Sequence, residues 1–271
     1  MIGGSTKAVR HGPTNNQWQQ GDSMATTQVP LGRADTHRPA APPERRRPSD
    51  FACKQVMAVT GLVFGVFVLV HLLGNLKAYL GRQGFDSYAV WLRHLLEPVV
   101  PYSGVLWVMR VVLLACLVGH VSCAYILWRR ARRARGPFRR KGLPLRSFAA
   151  RTMPVTGVVL LLFIAFHILD LTTGTRPAAS AEYTPTMATQ SFAYDNLVHS
   201  FDRPWVSAFY IAAMLLLGLH LSHGLWLAVN DLGVIGHRLR QVSLALAGVI
   251  AIAVMVGNIS LPVAVLTGLV S

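Results

Sequence analysis

Charge is scarce in this chain. Of its 271 residues only 14% are charged, 52% are hydrophobic, and the mean hydropathy is +0.42. That composition excludes a disordered or collagen-like chain, and the length of its charge-free stretches excludes a soluble globule. Cysteine is also rare. Cys53, Cys116 and Cys123 are too few for a disulfide framework, and two of them fall inside a hydrophobic stretch. No C-x-x-C-H sequence occurs, so any haem would be held without covalent attachment. Acidic residues number 11 against 26 Lys and Arg. No apolar segment of signal-peptide type precedes the first hydrophobic stretch, and no internal repeat stands out.

What the chain has is five uncharged runs: Gln55 to Leu76, Val111 to Trp128, Thr152 to Leu169, Pro204 to Asn230 and Gln241 to Ser271. Each is long enough to cross about 30 Å of hydrocarbon as a helix. The expected fold is all-α: an integral membrane protein of five spans, residues 55–271, after a disordered cytoplasmic tail, residues 1–54, rich in Gln, Thr, Pro and Arg. The loop 172–203 is expected to be irregular.

Twenty Lys and Arg fall on one set of alternating flanks and five on the other, which puts the N-terminus in the cytoplasm and the C-terminus outside. The run Arg129, Arg130, Arg132, Arg133, Arg135 then serves as a headgroup anchor, and the +15 charge calls for lipid rather than nucleic acid.

Five histidines, His71, His120, His167, His220 and His223, lie inside hydrophobic runs, where an ionisable ring is costly and marks function by default. Counting about 1.5 Å of helix per residue, His71 and His167 both lie roughly 25 Å from the cytoplasmic flank, in an outer layer. His120 and His220 lie about 13 to 17 Å from it, in an inner layer. Two layers, each with one imidazole from each of two helices, are what two bis-histidine haem b groups stacked in a four-helix bundle require. The fifth run lacks His and is expected to pack outside the four. Gly61, Gly65, Gly157, Gly218 and Gly224 would let a flat macrocycle or a neighbouring backbone approach. The inner layer has a second reading. Cys116, His120 and Cys123 share one helix face, and His220 and His223 point to similar sides of another, so Cys116, Cys123, His220 and His223 would suit a Rieske-type [2Fe-2S] cluster in place of the inner haem.

Further polar groups stand near the outer layer. Arg110, at about 28 Å depth, would pair with a haem propionate or with Asp170. Asp170 follows His167 by three residues on the same face, and Glu97 lies in an outer loop after Trp91. Either carboxyl is a candidate proton carrier for quinone chemistry.

Five segments carry a family resemblance: HLLGNL at His71 to Leu76, HLLEP at His94 to Pro98, GHVSCAYILW at Gly119 to Trp128, FHILD at Phe166 to Asp170 and LHLSHGLW at Leu219 to Trp226. In order and span the chain resembles, from residue 51 to about 262, the single-chain, five-helix cytochrome b membrane anchor of succinate dehydrogenase and fumarate reductase. The resemblance implies two haem b groups, the outer on His71 and His167 and the inner on His120 and His220, and its last motif selects His220 over His223. It implies a flavoprotein and an iron–sulfur subunit docked on the cytoplasmic face of a bacterial inner membrane, and electrons delivered from succinate to quinone. An outer quinone site near His71 would be lined by some of Trp91, Glu97 and Asp170. The alternatives are the cytochrome b subunit of a formate dehydrogenase or hydrogenase, which co-purified FAD would decide, and a haem-free proton-coupled transporter, which would be colourless.

Overall fold

The computed structural model describes residues 48–135, 145–234 and 236–271, with the side chains of 145–150 outside that description. The expected tail falls outside the described residues up to position 47. Helix α1, Asp50–Asn75, opens inside the stretch expected to be irregular, because the Ser49 hydroxyl accepts the Ala52 N–H at 3.1 Å and Asp50 sits at the positive end of the helix dipole. The charge of Arg130 completes this end: its guanidinium ion-pairs with Asp50 and donates to the Pro48 carbonyl at 2.8 Å.

A tight turn, Leu76–Leu80, and Gly81 at φ 77 redirect the chain into α2, Gly81–Arg93. Only glycine holds that φ without strain. Helix α3 runs Gly104–Arg135 and α4 Leu145–His167. The end of α4 loosens into one wide turn, Ile168–Thr172, which buries Asp170. Then come α5, Ala193–Phe201, α6, Pro204–Asp231, and α7, His237–Leu266. All described residues are helical or irregular, and five helices are long and apolar enough to cross a membrane. Two short amphipathic helices, α2 and α5, occupy segments the hydropathy pattern assigned to loops.

Among the described residues α1, α3, α4 and α6 form the four-helix group through three seams, α3 on α1, α1 on α6 and α6 on α4. No comparable seam joins α3 to α4, or either to the helix diagonally opposite. Helix α7 lies outside the four, as expected, but its seam with α6 is the most extensive in the molecule, and it also touches α1. In lipid such seams depend on close packing and interhelical polar bonds. A Cβ at Gly257 of α7 would come within 2.6 Å of Leu72 Cδ1, and one at Gly65 of α1 within 2.9 Å of Leu225 Cδ2. Asn75 donates to Asn258 Oδ1 at 3.1 Å, Tyr79 to Ser260 Oγ at 2.8 Å, and Gln55 to the Asp231 carbonyl at 2.6 Å.

A short pattern recurs in two of the helical units. Val59-Thr60-Gly61 in α1 and Val155-Thr156-Gly157 in α4 each precede, by eleven residues from the Thr, an outer-layer histidine, and Phe67 and Phe163 stand four residues before it. Both phenylalanines stack on that histidine: Phe67 on His71 with centroids 5.4 Å apart, Phe163 on His167 at 5.7 Å. His-x-Ser recurs at His120 and His220. The units α1–α2–α3 and α4–α5–α6 thus share these features at matching positions.

Candidate functional site

Helices α1 and α4 bring His71 and His167 face to face, with ring centroids 5.9 Å apart and planes at 77°. Two imidazoles bound to one metal through nitrogen bonds of about 2 Å would have centroids about 6 Å apart. His71 is exposed and His167 only half-buried, although both lie within the helical group, so the space they face is not filled by side chains.

The inner histidines are built by a repeated device. The Thr60 hydroxyl meets His120 Nδ1 at 3.0 Å, and the Thr156 hydroxyl meets His220 Nδ1 at 3.0 Å. A Cβ at Gly61 would lie 3.6 Å from His120 Cε1, and one at Gly157 lies 3.6 Å from His220 Cε1. Each Thr–Gly step thus seats one ring from the neighbouring helix. The eleven-residue rise from Thr60 to His71, and from Thr156 to His167, separates the two layers by about 16 Å.

The hydrogen-bond partners favour one tautomer. A threonine hydroxyl has one hydrogen. With Thr60 donating to the Val56 carbonyl at 2.6 Å and Thr156 to the Met153 carbonyl at 3.1 Å, both oxygens are left to accept from the ring. In that arrangement Nδ1 of His120 and of His220 carries the hydrogen and Nε2 keeps the lone pair that a metal needs. His167 follows the same logic with a different partner. Its Nδ1 meets the Tyr210 hydroxyl at 3.2 Å, and Tyr210 donates to Asp170 Oδ2 at 2.9 Å.

Asp170 is fully buried and accepts hydrogen bonds on both oxygens. Oδ2 also accepts from Ser200 at 2.6 Å, and Oδ1 accepts from Arg203 Nη2 at 2.8 Å. Arg203 is fixed in turn by the Ala178 carbonyl at 2.8 Å and the Ser200 carbonyl at 3.2 Å. The cation expected at Asp170 is thus Arg203, not Arg110. Arg110 lies exposed on α3 with its guanidinium 4.9 Å over the Trp107 ring.

Trp91 stacks on Tyr88 with centroids 5.9 Å apart, and both line an open cleft of about 510 Å³ with Lys77, Gly84 and Ser87. Glu97 lies in the next loop, where its carboxylate accepts from His94 Nδ1 at 2.9 Å, while His94 Nε2 donates to the Ala188 carbonyl at 3.1 Å. The Glu97 hydrogen bond first, and then the Ala188 carbonyl, raise the His94 pKa above its ordinary value of 6.5.

The four cluster ligands do not gather. Cys123 faces Cys53 of α1, His223 packs near Trp226, and among the described residues no three His, Cys, Asp or Glu side chains form a metal group. A helix face shared along one span, the basis of that reading, does not bring two spans together at that face.

Residues 129–259 match the family model described as the succinate dehydrogenase/fumarate reductase transmembrane subunit. That stretch, a little under half of the chain, is similar to that family, and it holds His167 and His220. No curated protein and no solved structure matches the chain.

Thr60, Thr156, Tyr210 and Arg203 escaped the sequence reading. The signal was present in the two Val-Thr-Gly steps, each one layer below an intramembrane histidine.

Proposed function

We infer that the chain is the membrane anchor and electron-transfer subunit of a succinate:quinone oxidoreductase in a bacterial cytoplasmic membrane. The observation that carries this reading is the pair of histidine layers in which three rings are held by Nδ1 so as to present Nε2. His71 and His167 would hold an outer haem b and His120 and His220 an inner one. When bound, such groups supply one-electron transfer between a partner iron–sulfur subunit and quinone. The chain's own residues do the rest. Thr60, Thr156 and Tyr210 orient the rings, and the Phe67 and Phe163 faces flank the outer pair. The arginine-rich end, with Arg130 tied to Asp50, offers a basic rim to partner subunits and lipid.

A quinone site at the outer end is supported by the cleft of Lys77, Tyr88 and Trp91, which opens beside α1 close to the end that carries His71. Asp170 is buried and already accepts from Ser200, Arg203 and Tyr210, whereas Glu97 stands in an outer loop, so Glu97 is the better candidate carrier. Glu97→Gln should slow succinate:quinone turnover while succinate oxidation by a soluble dye continues.

Purification through a tag on this subunit, followed by a dithionite-reduced minus oxidised spectrum, tests the whole reading. A flavoprotein and an iron–sulfur protein should co-purify, and the difference spectrum should show b-type haem. A colourless, unaccompanied polypeptide would refute it.

A further inference from the structure

Three of the four imidazoles, His120, His220 and His167, meet hydroxyls that each have a carbonyl or carboxylate to donate to, which leaves the hydroxyl oxygen to accept from the ring. We propose that Thr60, Thr156 and Tyr210 are positioning residues that lock His120, His220 and His167 in the Nδ1–H tautomer and set the electron-donating power of each ring toward a metal at Nε2. This rests on the functional reading above and adds to it the residues that tune the centres.

A histidine that ligates through Nε2 must carry its hydrogen on Nδ1, and the group accepting that hydrogen orients the ring and raises its basicity. At the inner layer both acceptors are threonines one helix away, each bonded to the carbonyl of its own preceding turn, at 3.0 Å from Nδ1 in both copies. At the outer layer His167 has instead a tyrosine whose hydroxyl leans on the carboxylate of Asp170, held by Ser200 and Arg203. A phenol polarised toward a carboxylate is a stronger acceptor than an aliphatic hydroxyl bonded to an amide carbonyl. His71 has no hydroxyl partner among the described residues, and its ring is flanked by Phe67 and His167. The inner pair and His167 therefore differ in the hydroxyl that meets Nδ1, not in their own identity.

The inner layer gives the cleaner test, because Thr60 and Thr156 touch no other functional group. Thr60→Val keeps the shape and removes the acceptor; Thr60→Ser keeps the acceptor. Both variants are made in the whole complex, and each haem centre is titrated optically against potential, with the ferric centres recorded by electron paramagnetic resonance. A less basic His120 favours the ferrous state, so Thr60→Val should raise the midpoint of the inner centre. A tenfold change in the ferric-to-ferrous binding ratio corresponds to about 59 mV for one electron. The outer centre should not move, and Thr60→Ser should return the inner midpoint and g-values to those of the wild type. Loss of the inner haem in Thr60→Val with recovery in Thr60→Ser also supports the proposal. An unchanged inner midpoint in Thr60→Val with haem retained would overturn it, as would a serine variant that behaves like valine. Failure of the underlying reading looks different, since the wild-type complex would then show no haem band to titrate.

Discussion

The two copies of the helical unit agree at the inner layer and part company at the outer one. Thr60 with His120 and Thr156 with His220 are superposable devices with the same 3.0 Å bond. One layer out, the copy α4–α6 has Asp170, where α1 has Gly74, and Tyr210, where α3 has Arg110. Asp170 and Tyr210 join with Ser200 and Arg203 into a buried network behind His167, whereas Gly74 is covered by Tyr88 and Arg110 turns away onto Trp107. His71 is left exposed, with Phe67 stacked on it and His167 edge-on to it. A duplicated scaffold has thus been closed and rigidified on one side of the outer pair and left open on the other, which is the side that carries the cleft of Lys77, Tyr88 and Trp91.

The largest expected effect removes a whole layer. His71→Ala or His167→Ala should abolish the outer haem signal and leave the inner one, and His120→Ala should do the reverse. A reduced-minus-oxidised spectrum at low temperature resolves the two. Loss of both signals from a folded His71→Ala protein would show that the layers are not separate.

Next in size is the network behind His167. Asp170→Asn leaves the Arg203 guanidinium without its counter-ion. Breaking a buried pair costs about 3–5 kcal/mol, and because Arg203 keeps 23% of its side-chain surface accessible, about 3 kcal/mol is expected. Arg110→Gln, at the matching place in the other copy, gives up one exposed cation–π contact and should cost less than about 1 kcal/mol. Thermal unfolding of the complex in detergent compares the two. Equal losses would deny the asymmetry.

Much of this was legible beforehand. Charge-free run lengths gave five spans, and residue counts from the basic flanks paired His71 with His167, because helical rise is uniform enough to carry depth across a membrane. Helices α2 and α5 were not legible, since short amphipathic segments carry no length signal. The Arg203–Asp170 pair was hidden because Arg203 comes from the start of α6, outside any span window, and only the wide turn after His167 brings Asp170 to it. The cluster reading failed for a related reason: periodicity ranks residues by face within one helix and is silent on which helix that face meets.

Helix α7 breaks the symmetry a second way. It covers Leu72, which is 4% exposed, while the matching Ile168 of α4 is 44% exposed. Gly257 permits this, so Gly257→Leu should force α7 off α1 and cost about 1–3 kcal/mol by overpacking. Ile168→Ala, with nothing packed over it, should be nearly neutral by the same unfolding assay.

The smallest effect belongs to the loop that closes the open side. His94 offers one nitrogen to the Glu97 carboxylate and the other to the Ala188 carbonyl. Both partners only accept, so both bonds survive only while the ring is doubly protonated. The His94 pKa is raised in the folded protein, through Glu97 first. A raised folded-state value means that the contribution is complete below the ordinary 6.5 and is lost as pH climbs through the raised value. The latch between this loop and residues 187–190 should therefore loosen on the alkaline side of about pH 6.5. Amide hydrogen exchange over residues 94–103, corrected for intrinsic base catalysis, should accelerate there in the wild type. His94→Gln, which keeps one donor and has no charge to lose, should show a flat corrected profile. Parallel profiles for the two proteins between about pH 6 and pH 9 would mean that His94 does not fasten the loop, and the open side would then owe its shape to the Tyr88–Trp91 stack alone.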